Sequence, residues 1–237
     1  MAYFNTIMTE KQSITLFHFT HLSQEQLEEI YTYFEENQFN NNTTWGFKET
    51  YKEQGYIKSI LVKKTTSLIP IFDFNIGSIV KKEIDFFTEC FFAIDLKNEL
   101  LEFYGNQKDF PKLKKALKPI INHNNRFETV DTSPFSLVPK LNNQQQINFE
   151  IKNLTINNYS AEEGVVGKYD LKVSQNPSGL SLIQRYKYDV IKCTLILYLD
   201  SEIIISFSRF GRLSIECSDS AFNYTLSYIK ELILKQE

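Results

Sequence analysis

The chain has 237 residues, a formal net charge of −3 and an uneven composition, with 20 Phe and 13 Tyr but only 8 Gly. This length is sufficient to bury a core, as one large domain or two small ones. The slight negative charge gives no general case for binding nucleic acid or an acidic membrane surface, and the scarcity of glycine argues against a Gly-rich phosphate-binding enzyme.

The cysteines and the first residues indicate the compartment. Cys90, Cys193 and Cys217 are odd in number and each lies in an apolar strand pattern. This predicts free buried thiols rather than a disulfide or metal ligands. Residues 1–8 lack the basic and apolar regions of a signal peptide, and no apolar run approaches the roughly 18 residues of a membrane span. The sequence therefore predicts a cytoplasmic protein without a membrane partner.

In chain order, the first predicted elements are a strand and an amphipathic helix. Residues 13–19 alternate enough to form a half-buried strand. Ser23 and Gln26 then form a capping-box pattern, which predicts the start of a helix. The apolar positions of this helix are Leu27, Ile30, Tyr31 and Phe34, and its acidic positions are Glu25, Glu28, Glu29, Glu35 and Glu36.

The middle of the chain is predicted to contain strands that lead into a second helix. Residues 56–74 predict one strand or two, interrupted at Pro70, because an interior position of a sheet does not tolerate proline. Asp109 is the predicted N-cap of the following helix. The other predicted elements here are strands at 76–80 and 84–96, a hairpin turn at about 97–99 and a helix from about Phe110 to Ile121.

The last part of the chain repeats the strand-rich pattern. The polar segment 123–146, which contains two prolines, predicts a linker. A hairpin is centred near Phe210 and Gly211. The other predicted elements here are strands at 147–156, 165–173 and 190–199 and a helix from about Ala221 to Leu234.

The same order of elements, a β-hairpin followed directly by an amphipathic helix, occurs at residues 91–121 and 203–234. This predicts an α+β fold of two antiparallel-sheet halves, each closed by a hairpin and a helix. The predicted domains are residues 1–122 and 147–237, joined by the linker-like segment 123–146. An internal duplication produces such a pattern, and so does chance, because a hairpin followed by a helix is common.

Motifs for catalysis are weak. An acidic residue two positions before a lysine on a strand is typical of metal-dependent nucleases, because a carboxylate pair holds Mg²⁺ and the lysine helps to orient a water. Three such triplets occur, Glu150–Lys152, Asp95–Lys97 and Asp170–Lys172, about as many as the composition alone produces. No zinc-ligand spacing, nucleophile elbow, Walker A motif or dinucleotide fingerprint accompanies them. The sequence thus predicts no catalytic residue, no metal and no cofactor.

The distribution of charge is more informative than any motif. Residues 1–57 carry 8 acidic and 3 basic side chains, whereas residues 58–118 carry 8 acidic and 11 basic ones. The basic excess falls on the predicted middle helix, at Lys108, Lys112, Lys114, Lys115 and Lys118. Such lysines contact phosphates in nucleic-acid-binding proteins, but the outer face of an amphipathic helix is also routinely lysine-rich. Phe210 is a further candidate binding residue, because an aromatic side chain at a turn stacks on bases or fills a partner's pocket.

These observations leave three functional hypotheses. The preferred one is a non-catalytic binding or assembly subunit that acts through protein–protein contacts, with its oligomeric state open. The alternative is a nucleic-acid-binding protein, in one version an accessory of a bacterial anti-phage defence system. It would use the Lys-rich helix 108–118 together with Lys63, Lys64, Lys81 and Lys82. A metal-dependent nuclease built on the acidic triplets is the second alternative.

Overall fold

The computed structural model describes residues 11–19, 22–53, 55–121, 127–144, 147–199 and 201–234. The described strands are β1 (Lys11–His18), β2 (Trp45–Glu53), β3 (Tyr56–Asp73), β4 (Ser78–Asp95), β5 (Leu100–Tyr104), β6 (Glu128–Thr129), β7 (Asn148–Glu162), β8 (Val165–Lys172), β9 (Val190–Tyr198), β10 (Glu202–Ser208) and β11 (Arg212–Glu216). The described α-helices are α1 (Gln24–Glu36), α2 (Phe110–Leu117), α3 (Pro134–Asn142), α4 (Asn176–Tyr186) and α5 (Asp219–Leu234).

The chain divides into two compact units. The first unit spans residues 19–126 and contains β2 to β5 with α1 and α2. The second unit combines β1 with residues 127–237, because β1 pairs antiparallel with β11 from Lys11 opposite Glu216 to Thr15 opposite Arg212. The predicted N-terminal domain, residues 1–122, thus includes one strand that lies in the second unit. Pairing between segments so distant in the chain produces no pattern in the local sequence, so it could not be predicted from it.

The first unit has an aromatic core on one face of its sheet. The sheet is antiparallel, in the order β2-β3-β4-β5. The ring of Phe34 on α1 lies 4.1 Å from that of Phe47 and 5.6 Å from that of Phe92, measured between centroids. Phe110 of α2 packs against Phe103 of β5 at 5.5 Å. These phenylalanines therefore fill the layer between the sheet and the two helices.

Both helices of the first unit begin near the predicted residues. The capping box of α1 is confirmed, since the Gln26 N–H donates to Ser23 Oγ at 3.2 Å and the Ser23 N–H donates to Gln26 Oε1 at 2.9 Å. Asp109 precedes α2 as predicted, but its backbone is already helical and its side chain makes no capping hydrogen bond. Its carboxylate instead pairs with Lys112 at 2.7 Å. Helix α2 ends at Leu117, earlier than predicted.

The second unit is an antiparallel sheet in the order β1-β11-β10-β9-β7-β8. The spacing of Phe222, Leu226, Ile229 and Ile233 predicts the inward face of α5, and the first three are buried whereas Ile233 is half-buried. Helix α4 has no counterpart in the elements predicted from the sequence, and its buried residues are Gly179 and Ile183.

The segment predicted as a linker, residues 123–146, contains helix α3. Ser133 caps this helix by accepting a hydrogen bond from the Ser136 N–H at 3.3 Å. Pro134 occupies its first turn, where a missing N–H costs little. Leu137 and Leu141 are fully buried. Its prolines and polar neighbours indicated a linker, but one proline starts this helix and the apolar residues between them are part of the core.

The molecule combines helices with antiparallel sheet, which confirms the predicted α+β class. A hairpin followed by a helix is present in both places, since β4 and β5 precede α2, and β10 and β11 precede α5. A common origin of the two segments stays a prediction. None of the described helices is long and apolar enough to cross a membrane.

Candidate functional site

Strands β3 and β4 extend far beyond the rest of the first unit's sheet. Each has 18 residues, and they pair without interruption from Tyr56 opposite Asp95 to Asp73 opposite Ser78. However, β2 pairs with β3 only as far as Lys63, and β5 pairs with β4 only from Phe91 onward. Residues 64–87 therefore form a two-stranded ribbon with no described strand paired to either edge, although at its base the Lys64 N–H donates to the Thr44 carbonyl at 2.8 Å and the Phe87 ring meets that of Phe39 at 6.1 Å. We call this ribbon the arm.

Large apolar side chains of the arm are exposed on both of its faces. Leu68 is 61% exposed and Ile79 is 70% exposed, and the pairing register places them on one face. Ile71 and Phe86 are exposed on the other face, and Phe74 at the tip is 89% exposed. Soluble proteins rarely leave so many large apolar groups together in water, and contiguous apolar patches mark interaction sites.

The arm is continuous through Pro70, although the sequence predicted an interruption there. At Pro70, β4 is the only described strand that pairs with β3, so β3 is an edge strand there. The outer edge of an edge strand makes no hydrogen bonds within the sheet, so a proline is tolerated. At the tip, the Gly77 N–H donates to the Asp73 carbonyl at 2.8 Å, and Gly77 adopts a φ of 66° that favours glycine. These contacts define a single hairpin.

The arm carries no net charge. Its basic residues are Lys64, Lys81 and Lys82, and its acidic residues are Asp73, Glu83 and Asp85. Asp85 accepts a hydrogen bond from Thr66 at 2.6 Å and lies 3.2 Å from Lys64 Nζ, and these contacts lower the pKa of its carboxyl. Electrostatics therefore give the arm no preference for a polyanion.

A separate feature of the first unit is a cavity of about 340 Å³. Helix α2 and the segment after it form one wall, while α1 and the sheet form the others. The lining residues are Tyr33, Thr44, Trp45, Leu61, Lys63, Lys112, Lys115, Ala116 and Pro119. Its lining is thus mostly apolar or aromatic, with three lysines.

The sheet register places Trp45 and Lys63 of the cavity beside Thr88 of β4. Trp45, Lys63 and Thr88 are directly opposite one another across β2, β3 and β4, so their side chains share one face. Lys112 Nζ donates to Thr88 Oγ1 at 3.3 Å and also pairs with Asp109. Lys63 and Lys115 form no ion pair within the part of the chain that the structure describes.

The aromatic residues of the cavity are held by the core below them. Trp45 is 38% exposed, and its ring meets that of Phe47 edge-on at 6.0 Å. The Tyr33 hydroxyl donates to the Ala116 carbonyl at 3.4 Å, which links α1 to α2, and burial raises the pKa of this hydroxyl. Trp45 thus offers an accessible indole beside the lysines.

The predicted site residues fall into different places. Lys112 and Lys115 line the cavity, whereas Lys114 and Lys118 are not part of its wall, and Lys108 lies in a 3-10 turn before α2. Phe210 belongs to the second unit, where it is 63% exposed at the turn between β10 and β11. Of the four neighbouring lysines named from the sequence, Lys63 lines the cavity and Lys64, Lys81 and Lys82 belong to the arm. Trp45, the only tryptophan, was not named from the sequence, because nothing local places it beside these lysines.

The acidic triplets make local contacts in this structure. Lys152 Nζ pairs with Glu150 on the exposed surface of β7, and this contact lowers the pKa of Glu150. Asp95 accepts hydrogen bonds from the backbone and side chain of Asn98. Asp170 accepts one from Thr155. No group of three or more His, Cys, Asp or Glu side chains suited to a metal ion occurs among the described residues.

Two tyrosines and two cysteines among the described residues have raised pKa values, because burial disfavours their charged forms. Tyr56 and Tyr104 donate their hydroxyl hydrogens to the fully buried Glu102, and burial together with this carboxylate raises the pKa of both tyrosines. Burial raises the pKa of Cys90 to about 11 and that of Cys193 to about 12, and both thiols are free. Neutral thiols of this kind are poor nucleophiles.

Comparisons with known proteins add no family. No model of a known protein family matches the chain, and a search of curated proteins finds no significant match.

Proposed function

We propose that this protein is a non-catalytic assembly subunit whose arm packs against the arm of a second copy of the chain. The observation that carries the proposal is the exposure of large apolar side chains on both faces of residues 64–87. A two-stranded hairpin is only marginally stable by itself in water. Burial against another protein removes this apolar surface from water and stabilises the ribbon.

The charges of the arm are compatible with self-association. Its three lysines are balanced by three carboxylates, so two copies of the arm approach without net repulsion. On the face with Leu68 and Ile79, both signs are present, at Lys81 and Glu83. A surface that carries both signs is able to complement itself under the two-fold symmetry of a dimer.

The two edges of the arm differ in their suitability for pairing. Pro70 has no N–H to offer an added strand, and proline is one device by which natural sheets protect an edge. The outer edge of β4 has no proline between Ser78 and Phe87, and no described strand pairs with it. Pairing of this edge with its counterpart in a second copy would produce four strands, above the three that a stable sheet needs.

The first test replaces apolar area without reducing strand propensity. Phe72 and Ile79 are directly opposite each other on the arm, and both are exposed. In light scattering coupled to size-exclusion chromatography, we expect the wild-type mass to be about twice 27.8 kDa. The Phe72→Thr/Ile79→Thr variant is expected to be a folded monomer, because threonine favours strands but contributes far less apolar surface. High salt should not dissociate the wild-type dimer, because burial of apolar groups is not screened by ions.

A matched control is available in the second unit. Val165 and Val166 on the β7–β8 hairpin are also exposed, and their replacement with threonine should leave the mass unchanged. A wild-type protein that stays monomeric at every concentration contradicts self-assembly. A dimer that survives the double substitution in the arm contradicts the assignment of the interface.

We also propose that the segments 91–121 and 203–234 derive from an internal duplication. Both contain a hairpin whose turn holds a residue with positive φ, Glu99 in one and Gly211 in the other, and both continue into a helix with an apolar face. Their backbones are then expected to superpose as hairpin plus helix. Hairpins that superpose while the two helices leave in different directions would argue for chance.

A further inference from the structure

We infer that the cavity beside α2 binds a small nucleoside phosphate. Three lysines reach this cavity from two directions, Lys63 from the sheet and Lys112 and Lys115 from the helix. Only Lys112 has an acidic partner among the described residues, namely Asp109. Ammonium groups without partners beside a cavity favour an anion, and lysine is a common ligand of phosphate.

The rest of the cavity favours a flat apolar group on the same ligand. Trp45 presents an indole that is 38% exposed, and Leu61, Ala116 and Pro119 supply apolar surface. A volume of about 340 Å³ is within the range of small-molecule sites, roughly 300–1,000 Å³. Bases stack on aromatic side chains whatever their sequence, because every base has a π-face. A base joined to phosphate matches both parts of the lining.

The acidic residues of α1, on one side of the cavity, favour a small ligand over a nucleic-acid strand. The chain has a net charge of −3, and α1, which supplies Tyr33 to the cavity, is otherwise acidic. Its exposed carboxylates include Glu25, Glu28, Glu29 and Glu36. A long polyanion would be attracted by Lys114 of α2 and Lys118 just after it but repelled by the carboxylates of α1, whereas a single nucleotide needs only the lysines of the cavity. The inference uses no residue of the arm, so it is independent of the proposed assembly.

The single tryptophan makes the site directly observable. Because Trp45 is the only tryptophan, its fluorescence reports on the cavity alone when tyrosine is not excited. The full-length protein is titrated with ATP, GTP, CTP and UTP, with N-acetyltryptophanamide as the correction for light absorbed by the base. We expect saturable quenching by at least one nucleotide below about 1 mM. The matching nucleoside and inorganic triphosphate are each expected to bind more weakly, because each lacks half of the recognised chemistry.

Single substitutions that each remove one positive charge test whether binding depends on the lysines of the cavity or on any nearby lysine. Lys115→Ala and Lys63→Ala are each expected to weaken binding about 10-fold or more, since a hydrogen bond to a charged group is worth at least that factor. Lys114→Ala removes the same charge from the same helix but not from the cavity wall, so its effect should be less than about 2-fold. Lys115→Arg should retain much of the affinity, because it keeps the positive charge. Isothermal titration calorimetry on the same samples detects binding even if the fluorescence is silent.

Three results would overturn the inference. The first is the absence of both saturable quenching and binding heat for all four nucleotides. The second is an equal loss of affinity for Lys114→Ala and Lys115→Ala, which would indicate diffuse attraction of anions rather than a site. The third is tight binding of a single-stranded oligonucleotide without any response to the free nucleotides, which would assign the cavity to a polymer.

Discussion

Replacement of Phe92 with alanine is expected to reduce the free energy of unfolding by about 3–5 kcal/mol. Phe92 is fully buried, lies between Ser59 of β3 and Phe103 of β5, and has the Phe34 and Phe47 rings 5.6 and 6.2 Å away. Removal of the ring loses its transfer free energy and leaves a cavity that the strands on both sides prevent from collapsing. The measurement is chemical denaturation monitored by circular dichroism.

The same substitution on the surface provides the control. Phe210 is 63% exposed at the turn between β10 and β11, and Phe210→Ala should change the free energy of unfolding by no more than about 0.5 kcal/mol. Similar effects at the two positions would contradict the placement of Phe92 at the centre of the first unit. A loss above about 2 kcal/mol for Phe210→Ala would show that Phe210 is packed rather than free for a partner.

The second large effect is expected at Gly211. This residue has a φ of +68°, and a Cβ there would lie 2.6 Å from Thr129 Cγ2 and 2.9 Å from the carbonyl oxygen of Leu16. Gly211→Ala should therefore cost about 2–5 kcal/mol, the sum of about 1–2 for left-handed backbone and about 1–3 for overpacking. The crowding arises because the Gly211 carbonyl accepts a hydrogen bond from the Leu16 N–H at 3.0 Å, which brings β1 against the turn.

Gly164 separates the two contributions to this cost. It also has a positive φ, +78°, but nothing lies within 4 Å of a Cβ built on it. Gly164→Ala should thus cost only the backbone contribution of about 1–2 kcal/mol. Thermal and chemical unfolding of both variants measure the difference. If Gly211→Ala is no more destabilising than Gly164→Ala, the result contradicts the close packing of β1 against the turn at Gly211.

The correct predictions from the sequence concern contacts within a few residues. The capping box of Ser23 and Gln26 was predictable because both partners lie in one turn of helix. The burial of Phe222, Leu226 and Ile229 of α5 was predictable because their helical spacing defines one face. The turn at Gly211 was predictable because glycine adopts a positive φ without a penalty. The exception is α3, whose prolines indicated a linker although one of them starts the helix.

The arm shows where strand patterns become ambiguous. Its apolar residues point to both faces, and in a sequence this pattern is typical of a strand buried on both sides. The same residues are exposed in the structure, because no described strand flanks them beyond Lys63 and Phe91. Whether an apolar strand lies in a core or in water depends on its neighbours, and these are set by pairing between distant segments.

The sequence by itself determined the α+β class, the starts of α1, α2 and α5 to within about two residues, the hairpin turns before α2 and α5, and the lysine-rich character of α2, because each depends on residue type and short-range spacing. Only the tertiary structure decided that β1 belongs to the second unit, that residues 64–87 stand free of the described strands and that Trp45, Lys63 and Lys115 line one cavity. These features arise from strand register and from the packing of α2 on the sheet. Both are long-range contacts that no local pattern in the sequence encodes.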